Sequence, residues 1–191
     1  MKSITLIPLI IILGCSQKLP VQTDRLNSQT DNIKNIQSGL DVLLSERMEL
    51  IKGKSIGLVT NNSGLDKKGI PNYKQLMKIK DVDLKIIFSP EHGLFGEAAD
   101  GEKVSYGQIK SFPEIISLYG DNRKPTIEQL SELDLIIYDI QDIGARFYTY
   151  ISSLGLVMEA AAEANIKVIV LDRPNPINGI KIEGPILEMK N

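Results

Sequence analysis

Residues 135–142 read LIIYDIQD, a short apolar run followed at once by polar side chains. The same arrangement recurs in SIGLVTNN (55–62), LKIIFSPEH (84–92) and KVIVLDRPN (167–175). Continuous apolar runs, as opposed to alternating ones, are typical of strands that are buried on both faces of a parallel sheet. The sequence therefore predicts an α/β fold in which helices cover both faces of a parallel sheet.

The segments between these runs carry apolar residues at helical spacing, as expected for crossover helices. One further segment, 114–119, has the composition of a short strand or a sheet edge. The predicted helices span residues 39–51, 73–79, 126–133 and 151–165.

The first residues have the character of a targeting sequence. Lys2 supplies a positive charge, and residues 4–13 form an apolar run that is shorter than the roughly 20 residues a spanning helix needs. Gly14 then precedes Cys15, the only cysteine of the chain, so the segment reads as a lipobox with lipid attached to Cys15. The alternative is a buried N-terminal strand with a chance cysteine. A lone cysteine also excludes an internal disulfide.

The lipobox predicts a membrane-anchored lipoprotein that faces the periplasm or the cell envelope. Residues after Cys15 are rich in Ser, Gln, Asn, Asp and Thr, and hold too few apolar side chains to offset chain entropy. The expected organisation is a signal peptide at 1–14, a flexible tether at 15–38 and one folded domain at 39–191.

Charge and motifs exclude several functions. A formal net charge of −2 provides no basic surface for nucleic acid. The first strand is not followed by a dinucleotide-binding glycine pattern, and the chain has no phosphate-binding loop motif, so no cofactor is expected. Carboxylates and the single histidine offer oxygen and nitrogen ligands, but no tight ligand motif is present and no metal is expected.

Polar residues follow the ends of all four predicted strands. Because the carboxyl ends of parallel strands meet at one edge of a sheet, these residues predict a single ligand pocket. Ordinary turn chemistry is the alternative, since Asn and Asp also serve loops. The residues are Asn61, Asn62, Glu91, His92, Asp139, Gln141, Asp142, Asp172, Arg173 and Asn175.

Two acidic positions are candidates for catalysis. Glu91 follows an apolar strand, and a partly desolvated glutamate suits a general acid, although it could equally cap a turn beside a structural His92. Asp139 and Asp142 flank Gln141, and a carboxylate there could be a base or a nucleophile, or it could form a structural pair with Arg146. Aromatic rings that could stack on a sugar, or simply pack, are Tyr106, Tyr119, Phe147, Tyr148 and Tyr150.

Six segments of the chain, taken together and in order, resemble the exo-β-N-acetylmuramidases, a family of peptidoglycan-recycling glycosidases. The resemblance implies a Rossmann-like catalytic domain that releases terminal N-acetylmuramic acid from peptidoglycan fragments. It also implies a second, smaller domain after the DRPNP segment, which we expect to be missing from this chain. The segments are GLDVLLSE (39–46), GKSIGLVTNNSG (53–64), FSPEHGLFGE (88–97), SLYGDNRKPT (117–126), DIQDIGARFYTYISSLGLVMEAAAE (139–163) and VLDRPNPINGIKIEGP (170–185).

The resemblance also assigns expected roles. Glu91 is the leading acid/base, His92 would orient it or contact substrate, and Asp139 is the third candidate catalytic residue. Arg146 or Arg173 would bind the lactyl carboxylate of the substrate through two parallel hydrogen bonds. The expected substrate-binding residues are Asn61, Gln141, Asp142, Arg146, Tyr148, Asp172, Arg173 and Asn175. A lipoprotein that binds muropeptides without cleaving them, or an inactive remnant, are the alternatives.

Overall fold

The computed structural model describes residues 36–96, 111–186 and 188. The predicted signal peptide, Cys15, nearly all of the predicted tether and Tyr106 lie outside these residues. From Gln37 onward the described residues belong to one compact unit. Within it, no helix combines the length and apolar character needed to cross a membrane.

Five strands form one parallel sheet in the order β3-β2-β1-β4-β5, which confirms the predicted α/β class. The four predicted strands are present, and the segment of uncertain type becomes an edge strand. The strands are β1 (Lys54–Thr60), β2 (Val82–Ser89), β3 (Glu114–Ser117), β4 (Leu135–Asp139) and β5 (Lys167–Val170).

Helices lie between the strands close to their predicted positions. The segment predicted as one helix over 39–51 divides in two, because Arg47 leaves helical backbone geometry and a short 3₁₀ helix, Met48–Leu50, follows. The α-helices are α1 (Gly39–Glu46), α2 (Asn72–Leu76), α3 (Ile127–Leu130) and α4 (Tyr150–Glu163).

The central strands are buried on both faces, as their continuous apolar sequences predicted. Ile87 and Ile137 point into one core cluster, together with side chains of α1 and α2. Their neighbours Phe88 and Ile136 point into a second cluster with side chains of α3 and α4. Successive residues of a strand face opposite sides, so each strand contributes to both cores.

The beginning of α1 is hydrogen-bonded to the loop that follows β5, the last strand on one side of the sheet. The amide of Gly39 donates a hydrogen bond of 2.7 Å to the carbonyl of Asp172, just after β5. A Cβ at Gly39 would lie 2.6 Å from the Leu171 Cα, so only glycine permits this approach. The contact joins the first helix to a loop that carries three predicted site residues.

Replacing Ile137 with alanine should lower the free energy of unfolding by about 2–5 kcal/mol, because the side chain is fully buried in the central sheet. Urea unfolding monitored by circular dichroism measures the change. Ile182→Ala is the control, since Ile182 is fully exposed and its truncation should have little effect. Equal effects from both variants would contradict the placement of the core.

Candidate functional site

The carboxyl-terminal ends of the strands lie along one edge of the sheet. Thr60 pairs with Asp139 across β1 and β4, while Val59 pairs with Phe88 on the other side of β1. The polar loops after β1, β2, β4 and β5 therefore emerge side by side, which agrees with the prediction that they share one edge.

A buried carboxylate lies at the centre of this edge. Asp139 is fully buried and accepts hydrogen bonds from Arg173 Nε to Oδ1 at 2.7 Å and from Arg173 Nη2 to Oδ2 at 2.9 Å. Asn72 Nδ2 donates to the same Oδ2 at 2.8 Å. Both oxygens of Asp139 are therefore engaged by neighbouring side chains and turned away from solvent.

The network extends to the ends of β1 and α2. Asn72 Nδ2 also approaches Thr60 Oγ1 at 2.7 Å, and Thr60 Oγ1 donates to the carbonyl of Asp139 at 2.8 Å. The remaining terminal nitrogen of Arg173, Nη1, donates to the carbonyl of Leu65 at 3.0 Å. Gly64 is required beside this network, because a Cβ there would lie 2.3 Å from both Asn72 Nδ2 and Thr60 Oγ1.

This geometry changes two of the sequence interpretations. The ion-pair partner of Asp139 is Arg173, and the suggested pairing with Arg146 is wrong. The Arg173 side chain is only 9% exposed and is committed to Asp139. The arrangement favours a bracing role for Asp139 and Arg173 over the direct catalytic and carboxylate-binding roles that we expected from the sequence.

Hydrogen bonds also join the loops above the buried network. Asn61 Oδ1 accepts bonds from the Ser63 amide at 2.9 Å and from the Ser63 hydroxyl at 2.6 Å. Ser63 Oγ in turn accepts from the Gln141 amide at 2.9 Å, and Gln141 Nε2 donates to the Pro174 carbonyl at 2.9 Å. The loops after β1, β4 and β5 thus form a continuous hydrogen-bonded rim.

Glu91 lies next to this rim, in the loop that follows β2. Its Oε2 accepts a hydrogen bond of 3.2 Å from the Thr149 hydroxyl, just before α4. Burial raises the pKa of the neighbouring Tyr150, a hydrogen bond with the Asn61 side chain opposes that rise, and the charge of Glu91 adds to it. The structure therefore brings Glu91, Asn61, Thr149 and Tyr150 into one electrostatic neighbourhood.

A cavity of about 360 Å³ opens beside Glu91, and we call it the Glu91 cavity. It combines one carboxylate, one guanidinium, three aliphatic hydroxyls, a tyrosine and an apolar floor. Its lining residues are Glu91, Leu118, Tyr119, Arg123, Thr149, Ser152, Ser153 and Leu156.

A second, smaller cavity of about 170 Å³ lies between the ends of β4 and β5 and the start of α4. Asp142, Asp172 and Arg173 supply its polar wall, and apolar residues such as Leu154 supply much of the rest. Burial and the nearby charge of Asp142 raise the pKa of Tyr138, whose hydroxyl donates to the Tyr150 carbonyl at 2.7 Å. In the described ranges, no three His, Cys, Asp or Glu side chains are grouped to hold a metal ion.

The remaining predicted residues lie around the rim. His92 is half-buried and adopts a φ of 72°, a left-handed conformation that costs free energy for a non-glycine residue. Arg146 donates to the Pro185 carbonyl at 2.5 Å, and the exposed Tyr148 ring lies 6.2 Å from the Tyr150 ring. Asn175 Oδ1 accepts from the Ile177 amide, which makes it a turn residue in this arrangement.

The model of the exo-β-N-acetylmuramidase NamZ N-terminal family matches residues 56–191, most of the chain. The chain belongs to this family. A peptidoglycan β-N-acetylmuramidase NamZ from Bacillus subtilis (strain 168) is 45% identical over 162 residues, which cover 84% of this chain and 39% of the relative.

Two crystal structures of DUF1343 family proteins from Bacteroides fragilis have the same fold. The first is 44% identical to this chain and superposes with a TM-score of 0.73; the match covers 81% of this chain and 38% of the solved chain. The second is 35% identical and superposes with a TM-score of 0.65; the match covers 81% of this chain and 39% of the solved chain. The chain therefore spans about two-fifths of the length of these relatives in the exo-β-N-acetylmuramidase family.

The sequence interpretation of this family member missed part of the Glu91 cavity. Arg123 follows the edge strand β3, which was predicted only as a strand or an edge, so its loop was not included among the strand-end loops. Thr149, Ser152 and Ser153 lie at the start of α4, a segment that was interpreted only through the spacing of its apolar residues. A cluster of hydroxyl side chains at the start of a predicted helix was the sequence feature that could have identified them.

Arg173→Met should lower the free energy of unfolding by about 3–5 kcal/mol, because it leaves the buried carboxylate of Asp139 without its cation. Adding Asp139→Asn should recover part of this loss by removing the buried charge. Glu132→Gln, which breaks an exposed ion pair with Lys85, should cost less than about 1 kcal/mol. Chemical unfolding of the four proteins provides the comparison, and an Arg173→Met protein as stable as wild type would refute the buried network.

Proposed function

We propose that this chain carries the catalytic cleft of an exo-acting β-N-acetylmuramidase, with Glu91 as its acid/base. The observation that supports this most is the position of Glu91. It lies at the carboxyl-terminal edge of the sheet, and its carboxylate lines a cavity rich in hydroxyl groups. The family membership and the name of the Bacillus subtilis relative supply the substrate class, a saccharide that ends in N-acetylmuramic acid.

Two contacts near Glu91 support its proposed role in proton transfer. The residue directly before the loop, Ser89, is the last of a buried strand and hydrogen-bonds through its carbonyl to the Leu118 amide at 2.8 Å. Thr149 engages Oε2 and holds the carboxyl group from the opposite wall. A carboxyl group held in this way needs little reorganisation to reach a glycosidic oxygen.

In the proposed reaction, protonated Glu91 donates its proton to the glycosidic oxygen as the bond from that oxygen to the anomeric carbon breaks. The leaving saccharide departs as an alcohol, and positive charge develops on the sugar ring. Water then supplies the oxygen at the anomeric carbon, and its proton returns the acid to its starting state. In this proposal the hydroxyls of Thr149, Ser152 and Ser153, which line the cavity, hydrogen-bond the sugar.

The main alternative is a protein that binds muropeptides without cleaving them. Glycosidases commonly use two carboxyl groups, and Glu91 is the only one among the described residues that line the Glu91 cavity. The same hydroxyls and guanidinium would bind an acidic sugar whether or not cleavage follows. Detection of free N-acetylmuramic acid after incubation with a muramic-acid-terminated disaccharide distinguishes the two functions.

Glu91→Gln should reduce release of N-acetylmuramic acid by about 10²–10⁴-fold while leaving sugar binding nearly intact, because the amide keeps the size but cannot act as a general acid or base. The matched control is Glu114→Gln at the start of β3, where the side chain is exposed and does not line the Glu91 cavity. Product is measured chromatographically, and affinity by calorimetry.

Two outcomes would count against this proposal. Hydrolysis by the Glu91→Gln protein at the rate of the Glu114→Gln protein would remove Glu91 from the chemistry. Sugar binding by the wild-type protein with no product released would favour the non-catalytic alternative.

We also propose that lipid on Cys15 anchors the protein to a membrane of the cell envelope. Cys15→Ser should move the protein from the membrane fraction to the aqueous fraction of the expressing bacterium, because the thiol that carries the lipid is lost. Ser16→Ala, one residue later, serves as the control. Retention of the Cys15→Ser protein in membranes would contradict the lipobox interpretation.

A further inference from the structure

We propose that Arg123 binds the carboxylate of the sugar's lactyl group and so sets the specificity of the Glu91 cavity for an acidic amino sugar. This inference rests on the proposed function, because it assigns one end of the same substrate. The observation that carries it is the presence of Arg123 and Glu91 in the lining of one cavity of about 360 Å³.

The loop that carries Arg123 places its guanidinium at the cavity wall. The loop follows β3, and Gly120 has a φ of 73°, a left-handed geometry that turns the chain. Arg123 Nε then donates to the Gly120 carbonyl at 3.2 Å, which restrains the side chain next to its own loop. Among the described residues, no acidic side chain forms an ion pair with Arg123, and no group accepts a hydrogen bond from its two terminal nitrogens.

The charges of the cavity impose an orientation on an acidic sugar. A carboxylate is attracted to the Arg123 guanidinium and repelled by the Glu91 carboxylate. In N-acetylmuramic acid the lactyl ether and the glycosidic oxygen are carried by different carbons of the ring. Binding the lactyl carboxylate at Arg123 therefore turns the glycosidic oxygen toward Glu91, where proton transfer is needed.

The two arginines proposed from the sequence are less suited to this role. Arg173 is nearly buried and is held by Asp139. Arg146 donates to the Pro185 carbonyl and is absent from the residues that line the Glu91 cavity. Arg123 is exposed, lines the cavity with Glu91 and makes a single hydrogen bond among those that the described residues show.

Binding of three sugars tests the assignment: N-acetylmuramic acid, its neutral methyl ester and N-acetylglucosamine. Calorimetry compares the wild-type protein with Arg123→Gln, Arg123→Lys and Arg146→Gln. A remote exposed arginine, Arg47, supplies the control variant Arg47→Gln. Circular dichroism confirms that each variant is folded.

Arg123→Gln should weaken binding of N-acetylmuramic acid by about 10–100-fold, the loss expected for one charge-assisted contact, and leave binding of the methyl ester unchanged. Arg123→Lys should recover part of the affinity for the acid, since it restores the charge but not the paired geometry. Arg47→Gln should bind all three sugars as the wild type does.

Three results would overturn the inference. The first is binding of the acid by Arg123→Gln with wild-type affinity, and the second is an equal loss of affinity for the acid and the ester. The third is a selective loss of affinity for the acid in Arg146→Gln and not in Arg123→Gln, which would assign the carboxylate to Arg146. In each case, continued release of N-acetylmuramic acid by the wild-type protein would leave the proposed function intact. Failure of the wild-type protein to bind any of the sugars would refute both.

Discussion

The buried ion pair between Asp139 and Arg173 holds the functional edge of the sheet together. Asp139 ends β4, Arg173 follows β5, and Asn72 and Thr60 join the same network from α2 and β1. A buried carboxylate is costly unless it is paired and hydrogen-bonded, so these partners are constrained to stay in register. This buried network therefore holds in place the loops that carry the candidate site residues.

The edge consists of two layers with different tasks. The lower layer is buried, and its polar groups are engaged with one another. The upper layer is accessible and includes Glu91, Arg123 and the hydroxyl groups at the start of α4. In the proposed function, such a division would let Glu91 meet the substrate while rigid elements beneath it keep the geometry, which is the arrangement that positioned proton transfer requires.

Much of this organisation could be predicted from the sequence, because continuous apolar runs are typical of doubly covered strands and parallel topology brings the strand-end loops to one edge. Which polar residues are buried could not be predicted. Asp139 and Glu91 both come after apolar runs of sequence, yet only Asp139 points into the buried layer, where Arg173 and Asn72 contact it. Whether such a carboxylate is buried depends on which face of the sheet its side chain points to and on partners that are distant in the sequence. Arg123 was missed because a four-residue edge strand gives little periodic signal.

A crystal structure of the protein with N-acetylmuramic acid bound tests the central claim most directly, namely that the Glu91 cavity is the sugar site. The account predicts a sugar ring in that cavity, with its anomeric oxygen about 2.6–3.2 Å from the Glu91 carboxyl group and its carboxylate against Arg123. A sugar bound instead in the cavity beside Asp142 and Asp172, with Glu91 untouched, would contradict the account.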